Sequence, residues 1–305
     1  MDKKDSLEKI DNPHDKIFKK MFGDIEVATD FLKNYLPNEI LEITDLESIT
    51  YEKETHVSKK LQEYFLDILF KTKINGEEAY IYFLFEHKSY NDKKVPIQML
   101  EYIINIWNLK IKNNKVPIII PLLIYHDKDK WKVDKNLINM VEGVEKLPKN
   151  ILKYIPNYEY ILYDIPTYFT NEQVKGSELL KFILKIFAYA KKDWEEMKFI
   201  VSEAEFMLNM DFFESFAWYI MTIQNIDVEE FKKVVKDERR RDLVMSLAEK
   251  LKNEGIEKGK KQEQIKMVIN LKKLGADVDY ISKATELSTK EIEEILKMKK
   301  YTKDK

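Results

Sequence analysis

Apolar positions recur at helical spacing from the start of NPHDKIFKKMFGDIEVATDFLKNYLP, where Ile17, Phe18, Met21 and Phe22 share one face. Gly23 breaks the run. Val27, Phe31 and Leu32 open a second face that stops before Pro37, so two helices are predicted, with Asp15 a candidate cap for the first. The period then changes. LQEYFLDILFKTKI, the pair Asn75–Gly76 and EEAYIYFLFEHKS read as strand, tight turn and strand, being dense in aromatic and β-branched residues. A helix over IQMLEYIINIWNLKI comes next, with Met99, Ile103, Ile106 and Leu109 on one face. VPIIIPLLIYH is nearly continuous in apolar residues, as suits a strand buried on both faces, and reaching it through a helix implies a β-α-β crossover.

From about residue 175 to 251 the spacing is helical again, in ELLKFILKIFAYAKK, FESFAWYIMTIQNI and RRRDLVMSLAEKLKNEG. Gly255 and Gly259 loosen the connection to the tail. GIEKGKKQEQIKMVINLKKLG reads as a polar, then amphipathic, helix closed by Gly275, with two short helices beyond it. The second begins at a capping box, Ser288 with Glu291 three residues on.

Composition narrows the class. The 305 residues are 44% hydrophobic and 35% charged, which suits a folded chain with a real core. No apolar run reaches the roughly 18 residues of a membrane span, and MDKKDSLEKI carries no hydrophobic signal region. The absence of Cys excludes disulfides, thiol nucleophiles and Cys-based zinc sites, so the expected location is cytoplasmic. The net charge of −2 is uneven. Residues 229–305 hold 21 Lys/Arg against 16 Asp/Glu, a net of +5, which leaves −7 for residues 1–228. Neither value is a nucleic-acid signature. The three arginines stand together as Arg239, Arg240 and Arg241, flanked by acids, and fit a phosphate contact or a salt-bridged helix face equally.

Three charges stand where apolar residues dominate. Glu86 and Lys88 end the run Ala79–Phe85 and, two apart on a strand, share a face. Asp67 interrupts YFLDILF on the strand that the hairpin pairs with it. Such charges carry a desolvation cost unless they pair or bind a metal. Two carboxylates suit a hard cation such as Mg²⁺, which stabilises phosphate charge and lowers the pKa of bound water. A buried Glu86–Lys88 ion pair is the competing reading.

The ordered set NPHDKIFKKMF, YFLDILF, YIYFLFEHKS, IQMLEY and IIIPLLIYH resembles the Rpn family of recombination-promoting nucleases, a transposase-like group in the PD-(D/E)XK nuclease superfamily. The resemblance covers roughly residues 10 to 170 and extends loosely to the tail. It implies that Asp67 and Glu86 bind Mg²⁺ or Mn²⁺, with the main-chain carbonyl of His87 as a further ligand. It implies that Lys88 orients the attacking water and the scissile phosphate. Gln98 and Tyr102 match a Gln-x-x-x-Tyr pattern beside the active site, though a helix surface with one buried Tyr fits them too. His14 and Asp15 match a His-Asp-like pair, and they and His126 are possible outer residues of the site. A cap for Asp15 and an edge position for His126 are the simpler alternatives. The superfamily's Pro-Asp dipeptide is absent, since Leu66 precedes Asp67.

The expected fold is α/β, a restriction-endonuclease-like mixed sheet core flanked by helices, then a helical region and a small helical tail. The expected divisions are a nuclease-like domain over 1–170, a helical region over 171–254 packed on the core, and a tail module over 255–305. The expected function is metal-dependent DNA endonuclease activity linked to recombination, mobile elements or genome defence. The alternative is a catalytically inactive DNA-binding or scaffolding protein of the same fold. DNA, bound mostly non-specifically, and a second copy of the chain in a dimer are the expected partners, at the nucleoid and without a membrane. The tail outlines a helix-turn-helix, but Glu291, Glu293 and Glu294 would repel phosphate from its last helix, so docking or dimerisation fits it better.

Overall fold

A computed structural model of the protein describes residues 13–52, 68–86, 92–126, 130–165, 167, 174–224 and 226–303. Helix α1 (Pro13–Phe22) buries Ile17, Phe18, Met21 and Phe22. It ends at Gly23, whose amide closes on the Lys19 carbonyl; a Cβ there would lie 2.3 Å from that oxygen. Asp24 caps α2 (Ile25–Tyr35), its carboxylate accepting from the amides of Glu26 and Val27. Asp15, read as a cap for α1, is instead the helix's third residue and is buried.

A single turn, α3 (Asn38–Leu41), leads into β1 (Thr44–Tyr51). Strands β2 (Ile68–Ile74) and β3 (Glu77–Glu86) form the hairpin expected from Asn75–Gly76, both of which take positive φ. Helix α4 (Val95–Lys110) then crosses over to β4 (Ile118–Tyr125), which lies parallel to β3. A long excursion returns to β5 (Ile161–Asp164), parallel to β4. The sheet order is β1-β2-β3-β4-β5, antiparallel in its first half and parallel in its second. This is the mixed sheet that the apolar pattern implies. Leu109 departs from expectation and is exposed, while Met99, Ile103 and Ile106 of α4 are buried.

Strand alternation sends odd and even residues to different layers. Phe83 meets Phe22, Phe31 and Phe70 on the face covered by α1 and α2. Tyr82, Leu84, Leu123 and Tyr125 face the other way, against Val95 and Met99 of α4 and against Trp131 and Tyr160. Each fully buried side chain of this size stabilises the fold by roughly 1.5–3 kcal/mol, and the central strands are covered on both sides.

Helices α5 (Glu178–Tyr189), α6 (Trp194–Met207), α7 (Met210–Gln224) and α8 (Val228–Val234) complete the helical region. Helix α9 (Glu238–Lys273) runs without a break through Gly255 and Gly259, where the sequence pattern implies two helices. It is succeeded by α10 (Val278–Thr285) and α11 (Thr289–Lys303). The chain forms two compact units, Met1–Val244 and Met245–Lys305. The second has a small core of its own around Val268, Ile281 and Ile292. Its last helix starts at the expected capping box: the Ser288 amide donates to Glu291 Oε2 (2.8 Å), and the Glu291 amide donates to Ser288 Oγ. Among the described residues, no helix is long and apolar enough to cross a membrane.

Candidate active site

Glu86 is the last residue of β3, and its backbone pairs with Tyr125, the last residue of β4. It therefore stands at the carboxyl end of the parallel part of the sheet, where open α/β sheets place their ligand sites. Asp67 directly precedes Ile68, the first residue of β2, whose partner on β3 is Phe83. Asp67, His87 and Lys88 themselves lie outside the described residues. Among the described residues, no group of three or more His, Asp or Glu side chains is disposed to hold a metal ion.

Gln98 and Tyr102 lie on the first turns of α4, and both are half-buried. The Tyr102 ring stacks on Tyr82 of β3, with centroids 4.5 Å apart and planes at 19°. Helix α4 is fixed at both ends. Its start accepts a short hydrogen bond from the Tyr158 hydroxyl at the Pro96 carbonyl, and its far end donates from Trp107 Nε1 to the Pro117 carbonyl (3.0 Å). Tyr102 thus has a packing role. It packs on the cluster that also holds Leu84, and its stacking partner Tyr82 lies four residues before Glu86 on β3.

The possible outer residues gather on the opposite face. His14 Nδ1 and the Tyr219 hydroxyl share a hydrogen bond of 2.8 Å, and the His14 ring lies 5.5 Å from that of His126. His126 comes directly after β4, is buried and packs against Phe187 of α5. Burial pushes the Tyr219 hydroxyl well above the ordinary tyrosine range, which keeps it protonated and able to donate to a neutral imidazole. These residues tie α1, β4, α5 and α7 together.

Asp164 is a residue that the sequence pattern does not single out. It ends β5, pairs with Tyr125 and is buried; its Oδ2 accepts from the Trp131 amide (3.0 Å). Trp131 Nε1 in turn donates to the Tyr160 hydroxyl (2.9 Å). One Asp at the end of an apolar strand is the same signal that singles out Glu86. The arginine run resolves in part: Arg240 donates to the Leu208 carbonyl (2.8 Å) and lies 4.5 Å over the Phe213 ring, so it is held by the fold. Lys93 and Lys94, just before α4, are exposed.

Residues 12–214 match the family described as "Putative transposase, YhgA-like". Among curated proteins, the recombination-promoting nuclease RpnC of Escherichia coli K12 is 32% identical over 115 residues, covering 37% of this chain and 38% of its own. RpnD of Escherichia coli O157:H7, of the same description, is 32% identical over 117 residues, 37% of this chain and 45% of its own. The inactive recombination-promoting nuclease-like protein RpnE of Escherichia coli K12 is 29% identical over 117 residues, 38% of this chain and 39% of its own. The matched stretch thus spans less than half the length of each of these three relatives. No solved structure matches the chain.

Proposed function

The chain belongs to the YhgA-like transposase family, and on that premise we propose that it is a metal-dependent DNA endonuclease acting in recombination or genome defence. The observation that carries the reading is the place of Glu86 at the carboxyl end of the central strand β3, with Asp67 directly before the neighbouring strand β2. A carboxylate at the end of so apolar a strand is costly unless something charged meets it.

Asp67, Glu86 and the His87 carbonyl offer hard oxygen donors, the set that suits Mg²⁺ or Mn²⁺. When bound, such an ion stabilises charge on the phosphate and acidifies a bound water. Lys88 supplies a cation to orient the water and neutralise the scissile phosphate. Gln98 and Tyr102, on a helix clamped to the sheet, line the approach to the same end of β3. DNA is held mostly through its phosphates, and a second copy of the chain supplies a site for the opposite strand.

A second reading has a specific observation behind it: RpnE, similar over a comparable length, is named as inactive. A chain of this fold that binds DNA without cutting it is the alternative. Asp67→Ala and Lys88→Ala distinguish the two. Each lowers cleavage by orders of magnitude with unchanged thermal unfolding if these groups act on the phosphodiester; variants that cut at the wild-type rate return them to a structural role.

A further inference from the structure

Between β4 and β5 the chain makes an excursion that the proposed chemistry does not use. Its neck is closed by a bridge between Asn136 and Glu159 and by the Leu137 amide donating to the Tyr158 carbonyl (3.1 Å). The Ile138 amide also donates to Asn157 Oδ1 (3.0 Å). Beyond the neck, residues 138–157 hold three short 3-10 turns and almost no buried side chain. A surface excursion of this length with no strand or α-helix of its own is a common carrier of binding function.

Its composition is unusual for a solvated loop. Met140, Val141, Leu147, Ile151 and Tyr154 are all exposed, Tyr154 to 73%. From Lys146 to Tyr158 the sequence KLPKNILKYIPNY has three lysines and no acid, in a chain whose net charge is −2. Two acids flank the stretch: Glu145 lies 4.0 Å from Lys146 with both side chains open to water, a loose pair, and Glu159 pairs with Lys135 (3.4 Å) outside the arm. Lys153 Nζ sits 5.0 Å from the centre of the Tyr154 ring.

The base of this arm is rigid and well placed. Tyr158 donates to the Pro96 carbonyl at the start of α4. Tyr158, Tyr160, Trp131 and Val133 pack into the cluster that contains Val95, Met99 and Tyr102. The arm therefore rises from the sheet face that carries Gln98 and Tyr102.

We propose that residues 146–154 are a nucleic-acid-gripping arm. Lys146, Lys149 and Lys153 contact backbone phosphates, while Tyr154 packs on bases or sugars. The inference rests on the nuclease reading and extends it to a surface. Unbalanced lysine favours a polyanion over a protein, since protein interfaces are depleted in Lys at their cores. An exposed ring beside lysines is the combination that stacks on bases while the backbone is neutralised. The exposed Leu147 and Ile151 of the same arm suit contact with sugars or insertion at a base step.

The test is binding of a short labelled DNA duplex to the full chain, by fluorescence anisotropy across a salt series in chelator, with cleavage in Mg²⁺ assayed separately. Each phosphate contact contributes about 0.9 to the slope of log affinity against log salt. The combined Lys146→Ala, Lys149→Ala, Lys153→Ala variant should lose roughly 2.7 from that slope, and Lys149→Ala alone about 0.9. A control variant, Lys198→Ala, Lys232→Ala, Lys233→Ala, removes the same charge from lysines paired with Glu195, Glu229 and Glu230 and should leave the slope unchanged. With a single-stranded oligonucleotide of the same length as a second probe, Tyr154→Ala should weaken binding about tenfold, and Tyr154→Phe should restore it. The arm side chains substituted here are all exposed, so thermal unfolding of these arm variants should match the wild type.

A wild type that binds and cuts, with arm variants identical to it, overturns the arm and leaves the nuclease reading intact. A wild type that neither binds nor cuts overturns both. If Tyr154→Ala instead dissociates a dimer in sedimentation and leaves DNA binding untouched, the arm is a face for a second copy and the proposal is wrong.

Discussion

Tyr82 and Tyr102 join β3 to α4 through near-parallel rings 4.5 Å apart, four residues before Glu86 on the strand. Tyr82 is buried and Tyr102 half-buried. An aromatic pair contributes about 0.5–1.5 kcal/mol beyond the area it covers. Tyr102→Leu keeps an apolar side chain in place but loses the stack and part of the covered surface, a cost of about 1–2 kcal/mol. Tyr82→Leu also leaves a void in a fully buried layer and should cost about 2–4 kcal/mol. Both single variants lose the same contact, so the double variant should cost about 1 kcal/mol less than their sum. Urea unfolding of the four proteins, monitored by circular dichroism at constant m, reads this coupling. A coupling near zero would refute the stack, and with it the account of how Gln98 and Tyr102 are held near the end of β3. Tyr102→Phe separates ring from hydroxyl: a fall in cleavage without a fall in coupling assigns the hydroxyl to the reaction.

Gly255→Ala and Gly259→Ala should each stabilise α9 by about 0.5–1 kcal/mol, because an added Cβ meets nothing within 4 Å and Gly is costly in a helix. Amide exchange over residues 251–263 should slow about two- to fivefold per substitution; faster exchange would mean that the glycines serve another conformation. Burial pushes the hydroxyls of Tyr80, Tyr158 and Tyr219 above the ordinary tyrosine range, and that of Tyr160 up to about 12; for Tyr80 the Glu78 carboxylate adds to this. Each keeps its proton in the folded state after the unfolded chain has lost it. Stability should thus be full below pH about 10 and fall above it by about 1.4 kcal/mol per pH unit for each tyrosine, as urea titrations can read; a flat profile to about pH 11 contradicts it. A chain ending near Lys252 should keep metal-dependent cutting, since Met245–Lys305 forms a unit with its own core. A folded but inactive truncation, together with tight DNA binding by the isolated tail, would make the tail a DNA-binding module.

The hairpin and the crossover are legible in the sequence because their signals are local. Asn75–Gly76 can take positive φ at both positions, and VPIIIPLLIYH has no polar face to leave in water. β1 is not legible: TDLESITY has few apolar residues, and its register against β2 shifts between Asp45 and Thr50, which breaks the alternation. Helix α4 is apolar on most sides, so spacing alone does not show that Leu109 faces water. The two glycines of α9 read as a break, yet each costs only about 1 kcal/mol in a helix that local pairs such as Lys260 with Glu257 support. At the site, residue type and order are visible along the chain, and Glu86 stands out as a charge on an apolar strand. The meeting of His14 with Tyr219 across 205 residues, and the hold of Asp164 on Trp131, depend on packing that no short pattern encodes.

The most direct test of the central claim is cleavage of supercoiled plasmid by the purified full chain in Mg²⁺, with and without excess EDTA, beside Glu86→Gln. The expected result is nicked or linear DNA with the metal, none in chelator, and a loss of orders of magnitude in Glu86→Gln at unchanged thermal stability. Cutting that persists undiminished in EDTA, or a Glu86→Gln protein that cuts at the wild-type rate, would contradict the assignment of metal-dependent hydrolysis to the end of β3.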